Sequence, residues 1–237
     1  MKLFVRSVLV WMYALPFMIV ASFAAFIVTI FDKSGDSAHI CAKLWCMGII
    51  KLSGIKIDVS GIEHLDSKNP QVLVTNHQGT FDIFALVSTL PVQFRWVVKK
   101  ELFKIPFFGL AMRKAGYISI DRENSRQALK DLRNASTKLK TGRSIAIFPE
   151  GTRTNNGELG VFKRGSLFLA TFSGNPIVPI SINGSFQILK KGGFIIYPNP
   201  VRIIIHPPIQ VADLSGKEQK ELAEKVRAII AEDLKVP

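Results

Sequence analysis

Residues 7–31 contain no charged side chain, an apolar run longer than the roughly 20 residues that a bilayer crossing requires. Pro16 predicts a kink within it. A shorter apolar segment, residues 40–52, carries Lys43 and Lys51 and has the pattern of an interfacial amphipathic helix. Lys2 and Arg6 precede the first run as they would in a secretory leader, but the run is too long and lacks a small-residue cleavage site before Asp32. Lys2 and Arg6 also favour a cytoplasmic amino terminus, and a single crossing would send everything after Phe31 to the far side, away from cytoplasmic metabolites. Residues 1–53 are therefore predicted to form a two-helix hairpin in one leaflet, with a true span as the alternative.

Beyond Gly54 the pattern changes to short apolar strands alternating with amphipathic helices. Residues 55–59 alternate between flanking glycines, and 71–75 form a more buried strand, followed by a loop over 76–81 and a helix over 82–90 that stops before Pro91. Downstream, 116–120 reads as a strand and 125–139 as a helix with Leu129, Leu132 and Leu139 roughly on one side and Gly142 closing it. Strands at 144–148, 177–182 and 201–205 follow, with a helix over 166–172 opened by Gly165. Ser215 and Glu218 make a capping box for a last helix whose apolar face is Leu222, Val226, Ile229 and Ile230. This alternation predicts an α/β layered domain over residues 54–237, built on a central, largely buried sheet flanked by helices.

Composition narrows the partners. The chain of 237 residues carries a formal charge of +13, a pI near 9.9 and a positive mean hydropathy of +0.24, so it calls for an anionic partner. Nucleic acid is excluded as that partner, because the basic residues are interleaved with long apolar and aromatic runs and no reading element is present. Lys99, Lys100, Lys104, Arg113 and Lys114 alternate with Trp96, Phe103, Phe107 and Phe108, which suits a headgroup interface of anionic membrane lipids. Residues 95–104 are accordingly expected at the level of the amino-terminal helices. The two cysteines, Cys41 and Cys46, have no second pair, and the four histidines lack the spacing of a helical metal site, so no metal is expected.

Four blocks carry candidate chemistry. Asn76-His77-Gln78-Gly79-Thr80-Phe81-Asp82 follows a strand and sets an aspartate five positions after a histidine. On a regular helix those side chains would lie about 140° apart, so they meet only if the chain bends, which Gly79 permits. A carboxylate on one ring nitrogen leaves the other free to take a proton. Alone, the pattern better fits an exposed loop histidine beside a surface aspartate. Phe148-Pro149-Glu150-Gly151-Thr152-Arg153 places a carboxylate, a glycine and an arginine just past another strand, where α/β sheets bind ligands. Gly116 to Arg122 brings a second arginine in the same way, and residues 177–182 complete the series.

In this order and at these separations the blocks resemble the glycerolipid acyltransferase family, most closely its 1-acyl-glycerol-3-phosphate acyltransferases, over residues 71–184. The resemblance implies that family's α/β fold, with a central mixed sheet flanked by helices and an amino-terminal two-helix membrane motif. It implies that His77 and Asp82 are catalytic and that Lys100, Arg122, Glu150, Gly151, Thr152 and Arg153 hold the glycerol phosphate of the acceptor. Ser119 departs from the apolar residue common there. The implied reaction moves an acyl chain from acyl-CoA or acyl-acyl carrier protein, as co-substrate with no cofactor, to the sn-2 hydroxyl of lysophosphatidic acid. The implied place is the cytoplasmic face of the inner or plasma membrane. Another lyso-lipid acceptor, or a catalytically silent lipid-binding protein, is the alternative. No Gly-x-Ser-x-Gly elbow is present and neither cysteine lies near His77, which favours direct transfer without an acyl-enzyme.

Overall fold

The computed structural model describes residues 1–139, 143–212 and 214–234. Gly142, expected to close a helix, lies outside the described residues, as does the side chain of Leu139. Two helices come first, α1 (Lys2–Phe31) and α2 (Asp36–Ser53), and then the layered domain begins. Its strands are β1 (Ile57–Ser60), β2 (Val72–Thr75), β3 (Phe94–Lys99), β4 (Ile118–Ile120), β5 (Ser144–Ile147), β6 (Ile177–Asn183) and β7 (Val201–Ile205). Between and after them run α3 (Phe81–Thr89), α4 (Phe108–Lys114), α5 (Ser125–Leu139), α6 (Phe168–Ser173) and α7 (Gly216–Asp233).

The strands form one seven-stranded sheet in the order β1-β7-β6-β2-β5-β3-β4, parallel throughout except where β6 meets β7. Successive side chains of a strand point to opposite faces, and the two cores follow that alternation. Leu73 and Ala146 face α1, α2 and α3 beside Val10, Ile49, Phe81 and Leu86. Val72, Val74, Ile145 and Ile147 face the opposite side, beside Leu132 of α5, Leu169 of α6, and Leu222, Val226 and Ile230 of α7. The capping box at Ser215 and Glu218 opens α7 as expected. The helix anticipated at 166–172 is instead a 3₁₀ turn, Arg164–Leu167, leading into α6.

Strand β3 corrects the sequence reading of 95–104 as an interfacial run at its start, while Leu102 and Lys104 beyond the strand are exposed. Arg95 and Trp96 are only 4% and 3% exposed, and the strand sits between β5 and β4. The strand meets α2 from the interior, with the Phe94 ring 4.7 Å from that of His39, and the part beyond it meets α1. There Lys114 of α4 lies over the ring of Phe26 of α1, 5.8 Å from its centroid, and Phe107 is exposed.

Helix α1 inverts the ordinary pattern of a surface helix, which buries large apolar residues and exposes polar ones. Its buried positions are small, Ser7, Val10, Ala14, Ser22, Ala25 and Thr29, while Phe4, Leu9, Met12, Phe23, Ile30 and Phe31 are exposed. Small residues let helix backbones approach closely, and large outward apolar groups suit hydrocarbon. Gly48 of α2 serves the same approach, since a Cβ there would collide with the Tyr13 ring. Trp45 Nε1 donates to the Ala14 carbonyl at 3.0 Å across the hairpin.

The hairpin is fixed to the sheet by charge as well as by packing. Asp36, in the first turn of α2, accepts from Arg95 Nη2 at 2.5 Å, and from Arg143 Nε and Nη2 at 2.6 and 2.5 Å. A buried guanidinium is tolerable only with such a partner, because desolvation costs more than an exposed pair returns. Asp36→Ala should therefore lower stability by about 3 kcal/mol, read from denaturant unfolding of the detergent-solubilised chain. An unchanged midpoint would show that Arg95 does not depend on Asp36.

Candidate active site

Because β2, β5, β3 and β4 are parallel, their carboxyl ends and the loops that follow gather at one edge of the sheet. The loop after β2 delivers His77, whose Nδ1 lies 2.7 Å from Asp82 Oδ2. Asp82 is in the first turn of α3 and wholly buried, and its oxygens have further partners. The Gly79 amide donates to Oδ2 at 2.8 Å, and the Ser185 hydroxyl donates to Oδ1. The bend between His77 and Asp82 needs no left-handed residue, for Gly79 has no positive φ. Glycine is required there for close passage, since a Cβ would stand 3.0 Å from the Ser185 carbonyl oxygen.

Glu150 holds the loop from the other side. Its Oε1 accepts from the His77 amide at 2.7 Å and its Oε2 from the Gly160 amide at 2.9 Å. Burial raises the Glu150 pKa above the ordinary carboxylate range, against the pull of those two amides. The Thr154 amide donates to the His77 carbonyl at 3.0 Å and ties the two loops together. The His77 ring stacks on Phe148, with centroids 3.8 Å apart, and Phe148 stacks in turn on Trp96 at 4.8 Å. With Nδ1 committed to Asp82, Nε2 makes no hydrogen bond among the described residues. A ring so held can accept a proton at Nε2 while Asp82 compensates the resulting charge.

The expected phosphate-binding residues are distributed around this centre. Arg153 Nη1 donates to Thr80 Oγ1 at 2.6 Å and lines a cleft of about 770 Å³ that opens against Gly79. Arg122 Nη1 donates to the Gly151 carbonyl at 2.6 Å and lines a different cavity, of about 390 Å³, with Lys163. Burial lowers the Arg122 pKa. Lys100 Nζ pairs with Asp121 Oδ2 at 2.6 Å, a bond that raises the lysine pKa and lowers that of the aspartate. Both Glu150 oxygens bond to backbone, and Thr152 is exposed. A third cavity, about 90 Å³ and apolar, lies among α1 to α4 with Trp45, Trp96, Met112 and Tyr117 in its wall. Among the described residues no three His, Cys, Asp or Glu side chains converge as a metal site.

Sequence reasoning missed Ser185 and the roles of Phe148 and Gly160. Ser185 follows β6 and stands more than a hundred positions from Asp82, so no local spacing links them.

The chain belongs to the acyltransferase family: the family model described as Acyltransferase matches residues 56–183. Its relatives are more specific. A chloroplast 1-acyl-sn-glycerol-3-phosphate acyltransferase of Arabidopsis thaliana is 37% identical over 199 residues, 83% of this chain and 54% of the plant protein. The protein of that name from Pseudomonas aeruginosa is 35% identical over 80% of this chain and 75% of its own length. The human alpha form is 34% identical over 78% and 66%. The chain thus spans little more than half the length of its chloroplast relatives. The crystal structure of the 1-acyl-sn-glycerophosphate (LPA) acyltransferase PlsC from Thermotoga maritima superposes with a TM-score of 0.84, covering 98% of this chain and 94% of that one. At 23% identity it shows the shared fold.

Removing the Ser185 hydroxyl would leave one oxygen of a buried carboxylate without its donor. Ser185→Ala should cost about 1–3 kcal/mol of stability, read from denaturant midpoints. A change near zero would mean that Asp82 does not need this bond.

Proposed function

We propose that this protein transfers an acyl chain from an acyl thioester to the sn-2 hydroxyl of lysophosphatidic acid, giving phosphatidic acid. The observation that carries the reading is the 2.7 Å contact of His77 Nδ1 with a buried, fully bonded Asp82 at the loop edge of the sheet. The names of the relatives give the acceptor class. In the proposed step His77 Nε2 takes the proton of the acceptor hydroxyl as its oxygen attacks the thioester carbonyl carbon. The carbon–sulfur bond then breaks, and the leaving thiolate recovers that proton from the imidazolium. No acyl-enzyme and no cofactor enter. Arg122, Arg153 and Lys100 supply cationic groups for the substrates' phosphates, while Glu150 braces the His77 loop.

The same reading places residues 1–53 as a hairpin in one leaflet and the remaining domain on the cytoplasmic face. The inverted exposure of α1 supports it. A lyso-lipid leaves the bilayer only at about 0.8 kcal/mol for each CH₂, so the active-site edge must meet the interface.

Purified protein assayed with acyl-CoA and with acyl-acyl carrier protein should acylate lysophosphatidate in preference to lysophosphatidylcholine. His77→Ala should lower turnover at least about 10²-fold with folding intact. Near-normal turnover of that variant, or a preference for lysophosphatidylcholine, would refute the mechanism or the acceptor respectively. In sealed vesicles, a label at Lys2 and the globular domain should be accessible from the same side. Opposite sides would replace the hairpin with a span.

A further inference from the structure

The segment between β6 and β7, residues 184–200, leaves the sheet and packs on α1. Phe194 accepts from Trp11 Nε1 through its carbonyl at 2.9 Å, and the Ile196 amide donates to Ser7 Oγ at 2.8 Å. The Phe194 ring lies 6.0 Å from that of Phe4. Near its other end the segment carries Ser185, the residue that bonds Asp82. One stretch of chain therefore joins the proposed catalytic loop to the outward-facing apolar helix, and it exposes Phe194 and Tyr197 beside that helix.

Between these two ends lies the cleft of about 770 Å³ against Gly79 and Arg153, and this segment supplies much of its wall. Lys190 and Lys191 line it, and Lys191 Nζ is held toward the site by Asn155 Oδ1 at 3.3 Å. None of the residues that line the cleft is acidic, so three cations face one open volume without a carboxylate to neutralise them. Such a site attracts a small, multiply charged anion.

We propose that Lys190 and Lys191, with Arg153, form the site that captures the phosphomonoester headgroup of the acceptor lipid. The lipid's hydrocarbon chain stays in the leaflet beside Phe194 and α1. This inference rests on the acyl-transfer reading above and assigns its acceptor to one of two cationic regions. The other region, at Arg122 and Lys163, opens among α5 and α6 on the sheet face opposite α1 and α2. A soluble donor has no need of a cleft fastened to the lipid-facing helix, whereas a lyso-lipid does.

Initial rates with the full chain in zwitterionic mixed micelles would test this, varying lysophosphatidate at saturating acyl donor and then the donor at saturating lysophosphatidate. Loss of both ammonium groups in a Lys190→Gln, Lys191→Gln double variant should raise the acceptor KM about tenfold. Its kcat and its donor KM should stay within about twofold, and Lys190→Arg with Lys191→Arg should restore the acceptor KM. An unchanged acceptor KM would overturn the proposal, and an equal or larger rise in the donor KM would give the cleft to the donor instead. A wild-type protein that does not acylate lysophosphatidate at all would sink the acyl-transfer reading itself. An active wild type with an unaffected double variant sinks only the headgroup site.

Discussion

Asp82 is a buried carboxylate, and a buried charge persists only where every lone pair it turns inward finds a donor. That constraint organises the loop edge of the sheet. The Gly79 amide, the Ser185 hydroxyl and His77 Nδ1 all converge on Asp82, from the loop after β2 and the segment after β6. Glu150 imposes a second version of the same constraint from the loop after β5, collecting the amides of His77 and Gly160. Three connections are thereby pinned to one imidazole. Its position follows from two buried carboxylates, each held in turn by backbone amides, and from one hydroxyl.

The sheet separates two tasks. One face packs α1 and α2, whose outward surface is apolar, and holds the small apolar cavity with Trp96 in its wall. The stacked rings of Trp96, Phe148 and His77 carry contact from that cavity to the proposed base. The opposite face packs α5, α6 and α7 and holds the cavity at Arg122 and Lys163. The amino-terminal hairpin is fastened to the domain rather than tethered, through Asp36 to Arg95 and Arg143 and through the 184–200 segment. The height of the site relative to the outward apolar surface of α1 is then a property of the fold itself.

Much of this was legible in the sequence because it is local. The capping box at Ser215, the buried apolar strands β2 and β5 and the amphipathic α5 depend on neighbours a few positions apart, and each emerged near its predicted bounds. The meeting of His77 with Asp82 could be stated as a condition on the bend. Strand β3 was not legible, since Arg95 looks like a surface cation until Asp36, 59 positions earlier, is seen beside it. Ser185 was hidden for the same reason, and so was the separation of Arg122 from Arg153 into different cavities. Residues brought together by sheet order leave no spacing signal.

If His77 and Asp82 act as one braced base, their substitutions cannot add. The direct measurement is a double-mutant cycle on phosphatidic acid formation, comparing His77→Ala, Asp82→Ala and the double variant at saturating substrates. The double variant should be no slower than His77→Ala alone, within about twofold, because a carboxylate that acts only through the imidazole has nothing left to orient. Losses that multiply would show that Asp82 acts on the reaction independently of His77, and would contradict the paired-base mechanism.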